Sequence, residues 1–402
     1  MYWKIVNLSE LCSIITKGTT PSNIGDSFTD KGIKYIRSEM LTSAKYISGD
    51  FLHISKETHE KLKRSQLKTG DILFSMAGVY LGKTAILRPE DIPANTNQAV
   101  ALIRIAPDKA DNEFVYYFLN MPDVVKMANT VQSQSAQPNI NLKQIGLLKI
   151  KMPDLDTQNR IANILSAYDD LIENNQKQIK LLEEAAQRLY KEWFVDLHFP
   201  NYENTPIVDG VPEGWSRKKL LDIAVFLRRG ISPTYSTDGK YYVINQKCIR
   251  TSIMDFSEAR KQEKNYGAEF NIQDADTVIC STGTGTLGRV GQVFGNYDNT
   301  TFDSHVTLVR SDVYPNYIYH AIKDRQPYLM NMGKGSTNQQ ELSKEVIGTL
   351  QILIPDKVTM IYFEKSASNI HQEILTLVKK IIGLKKSRDI LLPKLMSGEL
   401  EV

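Results

Sequence analysis

The stretch IANILSAYDDLIENNQKQIKLLEEAAQRLYKEWFV, residues 161–195, decides the fold. Within it Ile161, Leu165, Tyr168, Ile172, Asn175, Ile179, Leu182, Ala186, Leu189 and Trp193 follow one another at alternating steps of four and three. That is a heptad seam, the spacing that keeps one stripe of an α-helix turned toward a partner. Adding 202 to each number gives Phe363, Ala367, Ile370, Ile374, Leu377, Ile381, Leu384, Arg388, Leu391 and Leu395, a second seam of the same length. Each helix therefore has a partner within the chain. The 35 residues from Ile161 to Val195 make a rod of roughly 50 Å at 1.5 Å per residue, which is a spacer. Asn175 and Arg388 interrupt the seams. A polar residue at a core position either fixes the register of two helices or marks a frayed, solvent-facing layer, and both readings stay open.

Outward from the helices the chain repeats itself. Trp3 and a hydrophobic run to Gly18-Thr19-Thr20-Pro21-Ser22 return as Trp215 and a run to Gly230-Ile231-Ser232-Pro233-Thr234. Lys34-Tyr35-Ile36-Arg37 returns as Tyr241-Tyr242-Val243-Ile244. Asp71-Ile72-Leu73-Phe74-Ser75, followed by Leu81-Gly82-Lys83, returns as Asp276-Thr277-Val278-Ile279, followed by Ser281 and Leu287-Gly288-Arg289. Ile145-Gly146 through Met152-Pro153 returns as Ile347-Gly348 through Ile354-Pro355. The offset drifts from 212 to 202, so the loops between shared elements differ in length. Two copies that keep their strands and vary their loops share a scaffold and differ in a reading surface. The expected fold is α+β: two tandem mixed α/β domains separated by two long antiparallel helices forming a coiled coil, with internal pseudo-two-fold symmetry. Duplex DNA has a matching dyad, and two modules about 50 Å apart would address major-groove segments roughly one and a half turns apart.

Composition bounds the class. With 402 residues, 42% hydrophobic and 24% charged, the chain is globular and long enough for two or more cores. No apolar run approaches the roughly 20 residues of a membrane span, and no signal-peptide pattern opens the sequence, so a cytoplasmic protein is expected. Cys12, Cys248 and Cys280 are odd in number and far apart, which indicates neither a disulfide framework nor a zinc site. A net charge of +3 leaves a nucleic-acid partner open, because such binding needs a local basic surface rather than a large total.

Two glycine motifs tempt and fail. Ala77-Gly78-Val79-Tyr80-Leu81-Gly82-Lys83-Thr84 fits a permissive phosphate loop, but Pro89 follows too soon for the helix whose amides would cradle phosphate. Gly283-Thr284-Gly285-Thr286-Leu287-Gly288 fits the dinucleotide pattern, yet Val290-Gly291-Gln292-Val293 reads as a strand. Both are better read as a turn between two strands. A catalytic centre is also missing: no Asn/Asp-Pro-Pro-aromatic run, no nuclease-like acidic pair, and no metal-ligand spacing among His53, His59, His198, His305, His320 and His371. His305, in Asp303-Ser304-His305, resembles a catalytic arrangement, but its counterpart in the first copy is Ala99. No catalytic residue, metal site or cofactor is expected in this chain.

With these elements in place the resemblance is specific. Two modules open on Gly-x-x-Pro-Ser/Thr, carry an Asp-led apolar strand and a Leu-Gly-Lys/Arg turn, and close on an apolar strand, a proline and a long helix. Near its C-terminus the chain reads Leu391-Leu392-Pro393-Lys394-Leu395-Met396-Ser397-Gly398-Glu399-Leu400, and its second module starts Val211-Pro212-Glu213-Gly214-Trp215. In these features it resembles the specificity subunits of type I restriction-modification systems, over essentially its whole length. One departure is Met360, where the first copy has the family's usual glutamine at the helix start, Gln158. The resemblance implies target recognition domains at 1–153 and 200–355 (the latter with its linker), and spacer helices at 154–199 and 356–402. It implies that each domain reads one half of a bipartite, asymmetric DNA target while the helices set the gap. It also implies docking of two modification subunits that bind S-adenosylmethionine, and of restriction subunits that use ATP and Mg.

Base edges are read by Arg, Lys, Asn, Gln, Ser and Thr, and phosphates accept any cation or donor. The candidate DNA contacts in the first copy are Thr19, Thr20, Ser22, Arg37, Lys61, Lys63, Arg64, Gln134, Gln137 and Asn139. In the second they are Arg228, Arg229, Ser232, Asn245, Gln246, Lys247, Lys334, Ser336 and Asn338. By the repeat as aligned above, Arg37 and Glu39 stand where the second copy has Ile244 and Gln246, so the half-sites are expected to differ. Any one of these side chains alone could equally be solvated surface. Two other classes compete: a coiled-coil scaffold without sequence-specific DNA binding, and a nucleotide-dependent enzyme, against which the disagreement of the glycine loops between copies already argues.

Overall fold

The computed structural model describes residues 3–42, 44–130, 139–251, 253–332 and 341–402. The chain divides into two compact units, residues 1–174 with 381–402, and residues 175–380.

Unit 1 opens with β1 (Lys4–Asn7), α1 (Leu8–Leu11), β2 (Cys12–Lys17), β3 (Ile33–Ile36), β4 (Leu52–Ile54), α2 (Lys56–Lys61), β5 (Ile72–Ser75), β6 (Thr84–Ile86), β7 (Ala94–Thr96) and β8 (Val100–Ile105). It continues through α3 (Asn112–Leu119), α4 (Pro122–Thr130), α5 (Leu142–Gly146) and β9 (Lys149–Met152) into α6 (Leu155–Phe194), whose second half belongs to unit 2. The strands form an antiparallel sheet β2-β8-β5-β6, a mixed sheet β4-β3-β7 and a ribbon β1-β9. All four residues of β5 are buried, which is why that strand reads as a continuous apolar run rather than an alternating one.

Unit 2 repeats this plan. After a short hairpin β10 (Ile207–Val208) and β11 (Val211–Pro212) come β12 (Ser216–Lys219), α7 (Leu220–Ile223), β13 (Phe226–Arg229), β14 (Tyr241–Ile244), β15 (Arg260–Gln262), β16 (Thr277–Cys280), β17 (Val290–Gln292), β18 (Thr300–Phe302) and β19 (Val306–Arg310). Next are α8 (Pro315–Asp324), α9 (Gln326–Met332), α10 (Lys344–Gly348), β20 (Gln351–Ile354) and α11 (Lys357–Ser397). The sheets are β13-β19-β16-β17, β15-β14-β18 and β12-β20, element for element those of unit 1.

Two devices recur at equivalent places. Arg104 on β8 grips the buried Asp71 with both Nε and Nη2 at 2.7 Å, and Arg310 on β19 grips the buried Asp276 with the same atoms at the same distances. A two-pronged guanidinium satisfies a carboxylate that burial would otherwise penalise. The second device is close backbone approach. A Cβ on Gly18 would lie 1.8 Å from the Thr96 carbonyl oxygen, and one on Gly230 would lie 2.2 Å from that of Asp303. Only glycine fits at the start of either Gly-x-x-Pro motif.

Strand register corrects one reading of the repeat. Ile36 lies opposite Thr96, and Ile244 lies opposite Phe302, its equivalent by the β8/β19 match. Lys34-Tyr35-Ile36-Arg37 thus corresponds to Tyr242-Val243-Ile244-Asn245, one residue later than the sequence alignment placed it. Arg37 and Asn245 both stand at the N-cap of a following 3₁₀ turn. The asymmetry is then Arg37 against Asn245 and Glu39 against Lys247, rather than against Ile244 and Gln246.

The helices α6 and α11 are longer than the seams, 40 and 41 residues, about 60 Å each. In unit 1, Ile161 and Leu165 of α6 share a core with Leu392 and Leu395 of α11, while Leu391 packs at its margin. Ile172 and Ile381 are buried, and Tyr168 and Leu384 half-buried. In unit 2, Ala186, Tyr190 and Phe194 of α6 lie against His371, Ala367 and Phe363 of α11, so within this unit the two run antiparallel. Asn175, Ile179, Ile374 and Leu377 are buried there, and Leu182 and Ile370 half-buried. Toward its C-terminus the buried stripe of α6 departs from the seam. Leu189 and Trp193 are half-buried, and Tyr190 and Phe194 take the core positions. An α-helix of 3.6 residues per turn drifts about 20° per heptad from a 3.5 repeat, which over five heptads amounts to about one residue. Arg388 is no frayed layer: it ion-pairs across the helices with Asp169, whose side chain is 5% exposed.

Candidate nucleic-acid interface

Strand directions decide which loops meet. In unit 1, β2 and β5 are both antiparallel to β8, and β3 is parallel to β7. The loop after β2 (Gly18–Ser22), the N-cap residue after β3 (Arg37), the turn after β5 (Met76–Gly82) and the link from β7 to β8 (Asn97–Ala99) therefore gather at one end of the unit. The Thr19 amide donates to the Thr96 carbonyl (3.1 Å), Tyr35 Oη donates to the Thr19 carbonyl (3.0 Å), and the Ile140 amide donates to the Met76 carbonyl (3.0 Å).

On this frame Arg64 Nη2 donates to Thr19 Oγ1 at 3.2 Å, and Thr20 Oγ1 donates to Gln98 Oε1. Lys61 reaches Asp26 at 2.8 Å, and that pairing, with the Thr58 hydroxyl, holds the Asp26 carboxyl below its ordinary range. Arg37 pairs with Glu39 at 2.7 Å. Lys63 and Ser22 are exposed, and exposed Asn139 bridges to Ala77 of the β5 turn. Thr19, Thr20, Arg37, Arg64 and Asn139 are thus brought together, with Lys61 at the end of α2 and Lys63 and Ser22 on the flanking turns. Gln134 and Gln137 lie outside the described residues. Gln98 completes this cluster and escaped the sequence reading, because nothing in the chain signals that the β7–β8 link returns beside Thr20.

Unit 2 builds the same end from different side chains. Arg228 is exposed but turned back along β13, away from that end, its guanidinium 5.4 Å from the Phe226 ring and 5.8 Å from the Phe270 ring, an arrangement in which aromatic faces hold a cation without neutralising it. Arg229 is committed otherwise: it donates to the Ser304 carbonyl and pairs with Glu341. Gln246 donates to the Thr282 carbonyl (2.5 Å) and hydroxyl (2.8 Å), and Thr282 Oγ1 lies 2.7 Å from His305 Nδ1. Asn245 caps the turn that carries exposed Lys247, accepting from its amide at 2.8 Å. Ser232 is exposed, and its carbonyl accepts from Tyr266 Oη at 2.9 Å. Lys334, Ser336 and Asn338 lie outside the described residues. Thr282, Ser304 and His305 join this cluster unforeseen; His305 fills the place of Ala99 and reads as a surface hydrogen-bonding group.

Both glycine motifs are turns between strands: Gly78–Tyr80 leads to β6, and Gly283–Gly288 leads to β17. Burial pushes the Cys248 thiol up to about 11 and those of Cys12 and Cys280 up to about 12, so all three stay protonated at neutral pH. Among the described residues no group of three or more His, Cys, Asp or Glu is placed to hold a metal ion, and no helix is long and apolar enough to cross a membrane. Of the helix starts, Gln158 is buried, donating to the Pro153 carbonyl (2.8 Å) and accepting from the Asp111 amide (3.0 Å). Met360 at the equivalent place is simply core.

Residues 2–184 and 212–388 match the family model described as type I restriction modification DNA specificity domain. The type I restriction enzyme MjaIX specificity subunit of Methanocaldococcus jannaschii is 26% identical, the alignment covering 100% of this chain and 94% of that protein. The type I restriction enzyme HindI specificity subunit of Haemophilus influenzae is 22% identical, covering 90% and 94%. Among solved structures, the type I restriction-modification S subunit from M. genitalium aligns with a TM-score of 0.56 over 98% of this chain and 96% of that one. At 17% identity, that last likeness is one of fold.

Proposed function

The chain belongs to the type I restriction-modification DNA specificity family, and from that premise we propose that it supplies the address, and none of the catalysis, of such a system. Its domain at 1–153 reads one half of a bipartite, asymmetric target, and its domain at 200–355 reads the other. The helices set the unspecified gap and dock two modification subunits. S-adenosylmethionine, ATP and Mg act on the modification and restriction subunits, in the cytoplasm. The observation that carries this reading is the repetition of one strand-end cluster on the same scaffold with different side chains: Thr19, Arg64 and Gln98 in one copy, Arg229, Gln246 and His305 in the other. Identical readers would serve a palindrome; different readers serve an asymmetric site. The scaffold alternative fails on the family match, which covers both globular modules and not the helices alone.

The test is to express the chain with its methyltransferase partner in an unmethylated host and map modified adenines by single-molecule sequencing. The expected result is methylation confined to one two-part motif with a fixed gap. Modification without such a motif, from a soluble and associated pair, would overturn the reading.

A further inference from the structure

Lys45 is the most deeply buried lysine of unit 1, with 2% of its side chain exposed. It lies in the loop before β4, and its ammonium donates to Ser166 Oγ on α6 at 3.0 Å while standing 3.0 Å from Glu113 Oε1 on α3. Ser166 in turn donates to Glu113. One turn further along both helices, Tyr117 Oη donates to Asp169 Oδ2 at 2.7 Å, and Asp169 also receives Arg388 from α11. At the rim Tyr46 Oη donates to Asp170 at 3.2 Å, and Arg88 reaches Glu173 at 2.7 Å while lying 4.3 Å from the Tyr46 ring. One chain of charges thus ties a globular loop and α3 to α6 and α11, all within unit 1.

Stability does not call for these charges, since apolar side chains of like volume fill such a joint at least as well. What charges add is uniqueness of setting. Sliding α6 by one turn, about 5.4 Å, would leave Lys45 and Asp169 buried without their partners, whereas an apolar contact would merely repack. That step equals about one and a half base pairs at about 3.4 Å each. Unit 2 has a joint at the equivalent residues of α11 with other chemistry. Asn316 donates to Glu364 (2.8 Å) and Ser368 (3.1 Å), and His371 Nε2 lies 2.8 Å from Asp274. Recurrence of place without recurrence of chemistry marks a positional requirement.

We infer that Lys45, Glu113, Ser166, Tyr117, Asp169 and Arg388 form a positioning joint that sets the first recognition domain on the helices and thereby fixes the gap between half-sites to a single length. The inference rests on the two-half-site reading above. The test is the methylation map of the full chain, co-expressed with its methyltransferase partner, for the variant Lys45→Met/Glu113→Gln/Ser166→Ala, which leaves no charge unpaired at the Lys45 end, and for Ser166→Ala alone. The expected result keeps both half-site sequences and broadens the gap: motifs one base pair longer or shorter become modified at least tenfold above their wild-type level in the triple variant, and more weakly in Ser166→Ala. A single gap of wild-type length in both variants, with the complex intact, overturns the inference and leaves the two-half-site reading standing. Altered half-site bases, or loss of all modification by an intact complex, overturn it as well. A wild-type chain without any bipartite motif sinks both.

Discussion

The two units are the same object below their strand ends and different objects at them. Strand order, the Asp71–Arg104 and Asp276–Arg310 grips, and the glycines at 18 and 230 repeat closely. At the ends, unit 1 presents hydroxyls and an arginine tied to Thr19, and unit 2 presents an arginine tied to the Ser304 carbonyl beside a threonine–histidine–glutamine set. The difference teaches where the chain is free to vary. Within the sheets, the arginines that satisfy a buried aspartate and the glycines that let backbone approach backbone are the same in both copies; groups that face solvent at the strand ends are not.

The largest effects should be equal in the two copies. Arg104→Ala and Arg310→Ala each strand an aspartate that is 1% exposed, and each should cost about 3–5 kcal/mol in chemical denaturation; a large difference between them would break the equivalence. Gly18→Ala and Gly230→Ala force a methyl into a carbonyl oxygen and should each cost about 3 kcal/mol, read as lowered Tm.

Acid should separate the copies. His320 is buried in unit 2 and burial pushes its imidazole down to about 3 from an ordinary 6.5, the nearby His371 adding to the effect. Below pH 6.5 the unfolded chain takes up a proton that the folded one refuses, so stability falls as pH drops from 6.5 toward 3. The loss is about 2 kcal/mol at pH 5. His53 and His59, the two histidines of unit 1, are only half-buried. His320→Gln should flatten this slope in a denaturation series from pH 7 to pH 4; an unchanged slope would place the sensitivity elsewhere.

Smaller effects concern recognition. Arg228→Ala with Arg229→Ala should weaken discrimination in one half-site by about 1–3 kcal/mol, measured by competition with altered duplexes. Lys63→Ala, an exposed cation beside Arg64, should weaken binding across sequences and lower the salt slope by about 1.

The duplication, the glycine turns and both long helices were legible in the sequence, because each rests on a local period or a local conformational demand. Three things were not. The one-residue slip between Tyr35 and Val243 is set by strand pairing with β7 and β18, which sequence similarity among short apolar runs does not resolve. The turn of the buried stripe to Tyr190 and Phe194 accumulates from helical drift over five heptads. Gln98, Ser304 and the buried Lys45 take their meaning from partners 78, 75 and 121 residues away. Periodicity carries no information about such distant contacts.

The central claim, that one chain holds two independent readers, is tested most directly by comparing methylation maps of two variants, Lys63→Ala/Arg64→Ala in the first copy and Arg228→Ala/Arg229→Ala in the second. Each is expected to relax base preference in one half of the motif, a different half for each, with the other half and the gap unchanged. Relaxation of both halves by either variant would contradict it.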